Sequence, residues 1–214
     1  MDYIIKVCLQ ILDGLNITLG TFVITLVLSL PLGVVVAMCR LSKVKILSKI
    51  TELYIWVLRG TPLLLQIFVI FFGLPAVGIK IFDRMPSVYV AFVLNYAAYF
   101  GEIFRSGIQS IERGQTEAST LLGFTPLQTN VKIILPQVIK RTLPSIGNEI
   151  ITLIKDTSLV YVVGVADVFK ISKSIMSRDG NILAYVVVGI IYLLLTAIIT
   201  KLINVAEKKV YYEE

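Results

Sequence analysis

Three carboxylates stand where carboxylates are expensive. Glu102, Glu149 and Asp156 each fall inside a run of otherwise apolar residues. An ionisable side chain in such a run is a functional candidate by default. Neutral hydrogen-bonding groups accompany them at helical spacing. Asn95 and Tyr99 precede Glu102 on the same helix face, and Glu149, Thr152 and Asp156 repeat the pattern, followed by Thr157 and Ser158. Two acidic stripes on two helices could line one polar cavity. Surplus carboxylate there would suit an amino group and, more so, a cationic side chain. Asn95, Tyr99, Glu102, Asp156, Thr157 and Ser158 are therefore the candidate substrate-binding residues. Structural alternatives stand beside this reading. Glu102 could pair with Arg105 on its own helix, Glu149 with Lys140 or Arg141 near the interface, and Asp156 with a base such as Arg59. Arg59, beside Gly60 and Pro62, could itself meet a substrate carboxylate, gate a pore or form a structural ion pair.

Other chemistry is excluded by composition. The chain has no histidine, which removes Ser-His-Asp and Cys-His catalysis and His-ligated metals together. Cys8 and Cys39 lie in different hydrophobic regions, and no CxxC spacing exists. No catalytic residue, metal site or cofactor of the chain's own is expected. No basic run with interleaved aromatics points to nucleic acid. The net charge of +6 instead suits Lys and Arg beside anionic membrane lipid.

The elements that must position these residues are membrane helices. Of 214 residues, 57% are hydrophobic and 16% charged, and mean hydropathy is +0.87. A soluble domain averages about 25% charged residues. At about 20 apolar residues per span, the pattern predicts an all-α integral membrane protein with about five transmembrane helices. They cover residues 15–38, 53–74, 88–108, 145–165 and 182–202, the second bent at Arg59-Gly60-Thr61-Pro62. Residues 1–14 read as a short interfacial helix, or equally as an extension of the first span; with Asp2 and no basic leader they are not a signal peptide. Residues 15–208 form the transmembrane domain and 209–214 a tail, in which Tyr211 and Tyr212 beside Lys208 and Lys209 read as an interfacial anchor. Arg40, Lys43, Lys45, Lys49, Arg113, Lys132, Lys140, Arg141 and Lys208 all fall on one side, against fewer bases such as Lys6, Lys80 and Arg84 on the other. The positive-inside rule then places the N-terminus outside and the C-terminus in the cytoplasm.

The long cytoplasmic loop, about residues 112–137, reads as two short helices. The first ends near Gly123, a natural helix stop. The second starts with Thr125 as N-cap and Pro126 in its first turn, and stops before Pro136. Its spacing is specific: Glu117-Ala118-Ser119, three residues, Gly123, nine residues, then Ile133-Ile134-Leu135-Pro136. This resembles the EAA motif of ABC importer membrane subunits, and in particular the polar amino-acid permeases of the histidine, glutamine and arginine type. Leu58-Arg59-Gly60-Thr61-Pro62-Leu63 looks like that family's RGTPLL stretch, and 98–105 like its AYxAEIxR stretch. Gly114-Gln115 precedes the motif, and Lys155-Asp156-Thr157-Ser158-Leu159 matches K-x-TSL. Ser119 replaces the second alanine of EAA.

The resemblance implies a type I ABC importer permease fold in the bacterial inner membrane, with a cytoplasmic coupling helix. Glu117, Ala118 and Gly123 would couple it to an ABC ATP-binding subunit. That partner would hold the ATP and Mg, because this chain has no GxxxxGK[ST] loop. A second permease subunit, identical or a sister chain, would complete the pore. An extracytoplasmic amino-acid-binding protein would deliver the substrate. The chain would be a transport subunit rather than an enzyme. The competing function is a secondary, ion-coupled transporter with Glu102 and Asp156 as relay groups; no convincing internal repeat supports it.

Overall fold

The computed structural model describes residues 2–79 and 83–211, and they are helical without strands. The elements are α1 (Asp2–Leu12), α2 (Leu15–Arg40), α3 (Lys45–Gly60), α4 (Leu63–Phe68), α5 (Leu74–Ala76), α6 (Arg84–Gln109), α7 (Arg113–Leu121), α8 (Pro126–Thr129), α9 (Leu135–Asp156), α10 (Val168–Asp179) and α11 (Leu183–Tyr211). A π-helical turn, Val69–Gly73, joins α4 to α5, and another, Asn130–Ile134, joins α8 to α9. A 3-10 segment, Thr157–Val163, continues α9. Lys80 and Tyr212 lie outside the described residues.

The centre of the bundle is the α2–α6 pair, the most extensive helix contact in the chain. Small residues make it possible. Thr18, Thr21, Thr25, Ser29 and Gly33 recur down one face of α2 and are buried. A Cβ on Gly33 would lie 2.7 Å from the Phe100 Cβ, and one on Gly101 2.5 Å from a Val36 methyl. Helix association in lipid depends on such close backbone approach, since apolar side chains gain little by leaving lipid. The main apolar cluster forms alongside, from Ile67, Phe92, Tyr96, Phe100, Leu153 and Val160.

A second cluster joins α1 to α10 and α11 through Val7, Ile11, Val168, Ile175 and Val188. The first helix therefore buries one face in protein, and with α2 it forms a continuous stretch, Tyr3–Arg40, of 38 residues. Gly14 sits at the join because a Cβ there would lie 2.5 Å from the Asp167 carbonyl carbon. At the far end α11 runs to Tyr211, into the segment expected as tail.

Three stretches are long and apolar enough to cross a membrane: Tyr3–Arg40, Arg84–Gln109 and Leu183–Val210. Lys45–Gly60 with Leu63–Ala76 makes a fourth if that pair, bent by 107°, is one span. The expected bend is thus a near right angle, and α3 begins well before residue 53. Residues 145–165 belong to α9 and the 3-10 segment, which do not qualify by length and composition. Glu149, Lys155 and Asp156 account for that, and the helix tightens to 3-10 just after them.

In the loop, Gly123 takes φ +80° between α7 and α8. Thr125 and Gln128 form a capping box with Pro126 in the first turn. One expectation fails: the helix does not stop before Pro136. The π-turn Asn130–Ile134 widens the backbone just before Leu135-Pro136, as Val69–Gly73 does before Leu74-Pro75. A proline clashes with the carbonyl four residues back, and an i→i+5 turn at that point lets the helical path continue.

Asp167 caps α10, accepting from Phe169 N–H at 3.1 Å and Lys170 N–H at 2.9 Å, and is fully buried. Burial pushes its carboxyl up to about 6, although the capping amides pull the other way. The unfolded chain loses this proton near 3.8. Between those values only the folded state holds it, so stability is fullest below the lower value and falls as pH rises through the upper one. The loss is roughly 3 kcal/mol at 1.36 kcal/mol per unit. Asp167→Asn, which keeps a good cap, should flatten this slope in melting curves recorded in detergent from pH 4 to 7; an unchanged slope would place the titration elsewhere.

Candidate functional site

The break between α3 and α4 is built by hydrogen bonds. Pro62 forces Thr61 into extended backbone, φ −122° and ψ 146°. The carbonyls released at the end of α3 then need donors. Gln66 Nε2 donates to the Leu58 carbonyl at 2.9 Å and to Thr61 Oγ1 at 2.9 Å. Asn95, buried on α6, donates to the same Leu58 carbonyl at 3.1 Å and to Gln66 Oε1 at 3.0 Å. The amide expected to meet substrate also brackets the broken helix against α6.

The bracket leaves Arg59 on the wall of a cavity of about 810 Å³, shared with Arg40, Lys49, Glu52, Trp56, Glu102 and Arg105. Glu102 is held by Arg105 in a two-pronged pair, 2.7 Å from Nε and 2.5 Å from Nη2. Arg105 also donates to Gln109. Arg40 pairs with Glu52 at 3.1 Å. The Arg59 guanidinium lies 5.0 Å above the Tyr99 ring, and Tyr99 lies 6.3 Å from Tyr96. The Tyr96 hydroxyl donates to Asp156 at 2.8 Å. Glu149 lies within reach of the charges on Arg59 and Asp156. Neither Arg59 nor Glu149 has a hydrogen bond or ion pair among the described residues.

The structure divides the six candidates. Glu102 lines the cavity, Tyr99 seats Arg59 beside it, and Asp156 joins through Tyr96. Tyr96 is six residues from Glu102, about 9 Å along the helix axis. Thr157 is buried and donates back to the Ile154 carbonyl at 2.7 Å. Ser158 opens instead into a cleft of about 480 Å³ with Lys155, Tyr185, Gly189 and Tyr192. Tyr96 and Gln66 were not anticipated. The need of an intramembrane carboxylate for a donor pointed to a tyrosine near Asp156, and a glutamine one turn past Pro62 is placed to satisfy a broken helix end.

The loop motif forms a second site at another part of the molecule. Glu117, Ala118 and Gly123 are exposed. Leu121, Leu122 and Leu127 stand 89%, 76% and 73% exposed. The departure from EAA has a use: Ser119 is buried and its hydroxyl meets that of Thr129 at 2.8 Å, pinning α7 to the start of the next helix.

A polar cavity beside a broken helix, in an all-helical membrane bundle with a short capped helix pair projecting from it, defines a type I ABC importer permease. The chain belongs to the family described as the binding-protein-dependent transport system inner membrane component, whose family model matches residues 29–211. It is 38% identical to the arginine transport system permease protein ArtQ of Bacillus subtilis, over 93% of this chain and 91% of that one. It is 34% identical to the putative glutamine transport system permease protein GlnP of Rickettsia bellii, over 97% of each. A crystal structure of an amino acid ABC transporter with histidines superposes with TM-score 0.88 at 32% identity, covering 96% of both chains. An inward-facing MetNI methionine ABC transporter shares the fold, with TM-score 0.68 at 20% identity. The chain is therefore an amino-acid ABC importer permease, a transport subunit and not an enzyme.

Asn95→Ala should leave the Leu58 carbonyl and the Gln66 amide short of a partner and cost about 1–3 kcal/mol. The expected result is a lower melting temperature in detergent, with substrate affinity per folded molecule within about twofold of wild type. A large loss of affinity in a protein of normal stability would return Asn95 to the substrate-binding set.

Proposed function

We propose that this subunit carries a cationic amino acid, delivered by an extracytoplasmic binding protein and driven by a separate ATP-binding subunit. The observation that carries the substrate class is a pair of intramembrane carboxylates, Glu149 and Asp156, that lack an ion-pair partner among the described residues. Arg105 neutralises Glu102, and Lys155 opens into the other cleft. Glu149 feels the charge of Arg59, and Asp156 that of Lys155, but neither carboxylate has an ion-pair partner among the described residues. The side chain of arginine, lysine or protonated histidine would supply that ion-pair partner. The arginine and histidine in the names of two relatives agree with this reading. The ion-coupled carrier loses ground, since Glu102 is locked by Arg105 and a relay group must exchange its proton freely.

The substrate contacts on this reading are Tyr99, Asp156 and Glu149, with Glu102 shaping the cavity wall. Asp156→Asn preserves shape and removes charge. Uptake of L-arginine into vesicles should fall at least tenfold, while the assembled complex and its basal ATP hydrolysis survive. Unchanged uptake would make Asp156 a structural carboxylate.

Coupling belongs to the loop. Leu121, Leu122 and Leu127 present an apolar patch on a rigid, capped element, which suits a cleft in the ATP-binding partner that holds the ATP and Mg. The Lys/Arg asymmetry supports a cytoplasmic loop and C-terminus with the N-terminus outside. A second permease subunit, identical or a sister chain, completes the pore. Gly123→Val forces a β-branched residue into left-handed backbone. Transport and substrate-stimulated ATP hydrolysis should fall together in a protein that still inserts; normal coupling would remove the docking role from this turn.

A further inference from the structure

Arg59 is a charge whose role the packing alone does not explain. It ends α3 at the break, lines the cavity wall, and makes no hydrogen bond or ion pair among the described residues. Its one partner is the face of Tyr99, 5.0 Å away. An aromatic face near carboxylates is a receptor for cations, and here a protein cation sits on it. A guanidinium that served only structure would be expected to pair. Arg105, six residues further along than Tyr99, does so with Glu102 through two hydrogen bonds. Arg59 stays unpaired although Glu102 and Glu149 both feel its charge.

We propose that Arg59 is a tethered cation that occupies the seat of the substrate's positive charge while the cavity is empty, and that a substrate must displace it to bind. Arg59 is then a specificity-determining residue. A guanidinium or ammonium competes with it for the Tyr99 face and the field of Glu149 and Asp156, whereas an uncharged side chain cannot. The hinge supplies the motion. Arg59 precedes Gly60, Thr61 and Pro62, where α3 and α4 meet at 107°, and its flexible stem can swing into the open cavity without moving the Asn95–Gln66 bracket. The displaced guanidinium enters a space of about 810 Å³ that also holds Glu52.

The proposal rests on the cationic reading of the cavity, and the test separates the two. L-arginine and L-glutamine binding are measured on the purified complex of permease, ATP-binding subunit and their partners, for wild type, Arg59→Gln and Arg59→Lys. Removing the tethered charge should tighten L-arginine binding at least tenfold and change L-glutamine binding less than threefold, with Arg59→Lys close to wild type. Equal or weaker L-arginine binding by Arg59→Gln overturns the proposal. A parallel loss for both amino acids would do so too, by assigning Arg59 to the substrate carboxylate. A wild type that binds no cationic amino acid overturns the cationic reading alone, because Arg59→Gln should still gain L-arginine binding if the tether is real. Arg59→Met replaces the glutamine variant if that one does not assemble. If neither assembles while Arg59→Lys does, Arg59 is a structural cation and the proposal fails.

Discussion

A polar group inside a bilayer must find a partner within the protein, find water, or be there for a ligand. Most of this structure follows from that requirement. Glu102 and Arg105 satisfy each other on one helix face. Asp156 is served by Tyr96 from a neighbouring helix, and Asn95 spends its amide on the broken end of α3. The unpaired hydroxyls of Thr21, Thr25 and Ser29 are the inexpensive exceptions, being small, neutral and one turn from a backbone carbonyl. Gln10 Oε1 and the Tyr192 hydroxyl are likewise buried without a partner among the described residues. Arg59 lines one cavity, Tyr99 and Tyr96 lead from it to Asp156, and Glu149 feels the charges of Arg59 and Asp156.

The backbone obeys the same rule. Breaking a helix in lipid releases carbonyls and amides, so the break at Gly60–Pro62 is tolerated only with Gln66 and Asn95 to answer it. The prolines at 75 and 136 are met differently. Each follows a π-turn that widens the helix just before it, so the chain continues without a free end. Close packing then fixes the geometry: α2 and α6 approach until no side chain fits at Gly33 or Gly101, and this rigid pair holds Tyr96, Tyr99 and Glu102 in place.

Much of this was legible in the sequence, where local rules and fixed spacing applied. The turn at Gly123, the cap at Thr125 and the break at Pro62 are read from residue types alone, because each depends on backbone sterics within a few residues. The EAA spacing revealed the class in another way, through its resemblance to a known family motif. The span between 145 and 165 was less legible, since its charges defeat a length-and-hydropathy rule while packing keeps it helical. The continuation through Pro136 was illegible, because a π-turn has no distinctive composition. The site was half legible. Acids were found by their cost, but which of them are already satisfied depends on contacts between distant helices. Asn95 to Leu58 and Tyr96 to Asp156 are such contacts, and periodicity cannot supply them.

The two sites are joined by one stretch of helix. The loop pair α7 and α8 is pinned by Ser119 and Thr129, and α8 leads through the π-turn into α9 without a loop. From Leu135 to Asp156, α9 has 22 residues, about 33 Å at 1.5 Å per residue. Glu149 and Asp156 thus ride on the same rod that begins at the motif. Its path includes a π-turn and, inside α9, Pro144, two kinds of feature at which helices bend. Leu127 of the exposed loop surface and the carboxylates lie on one continuous helical path, while Tyr99 and Arg59 belong to α6 and α3. The separation between the acids and the aromatic face is set by how α9 lies against α6.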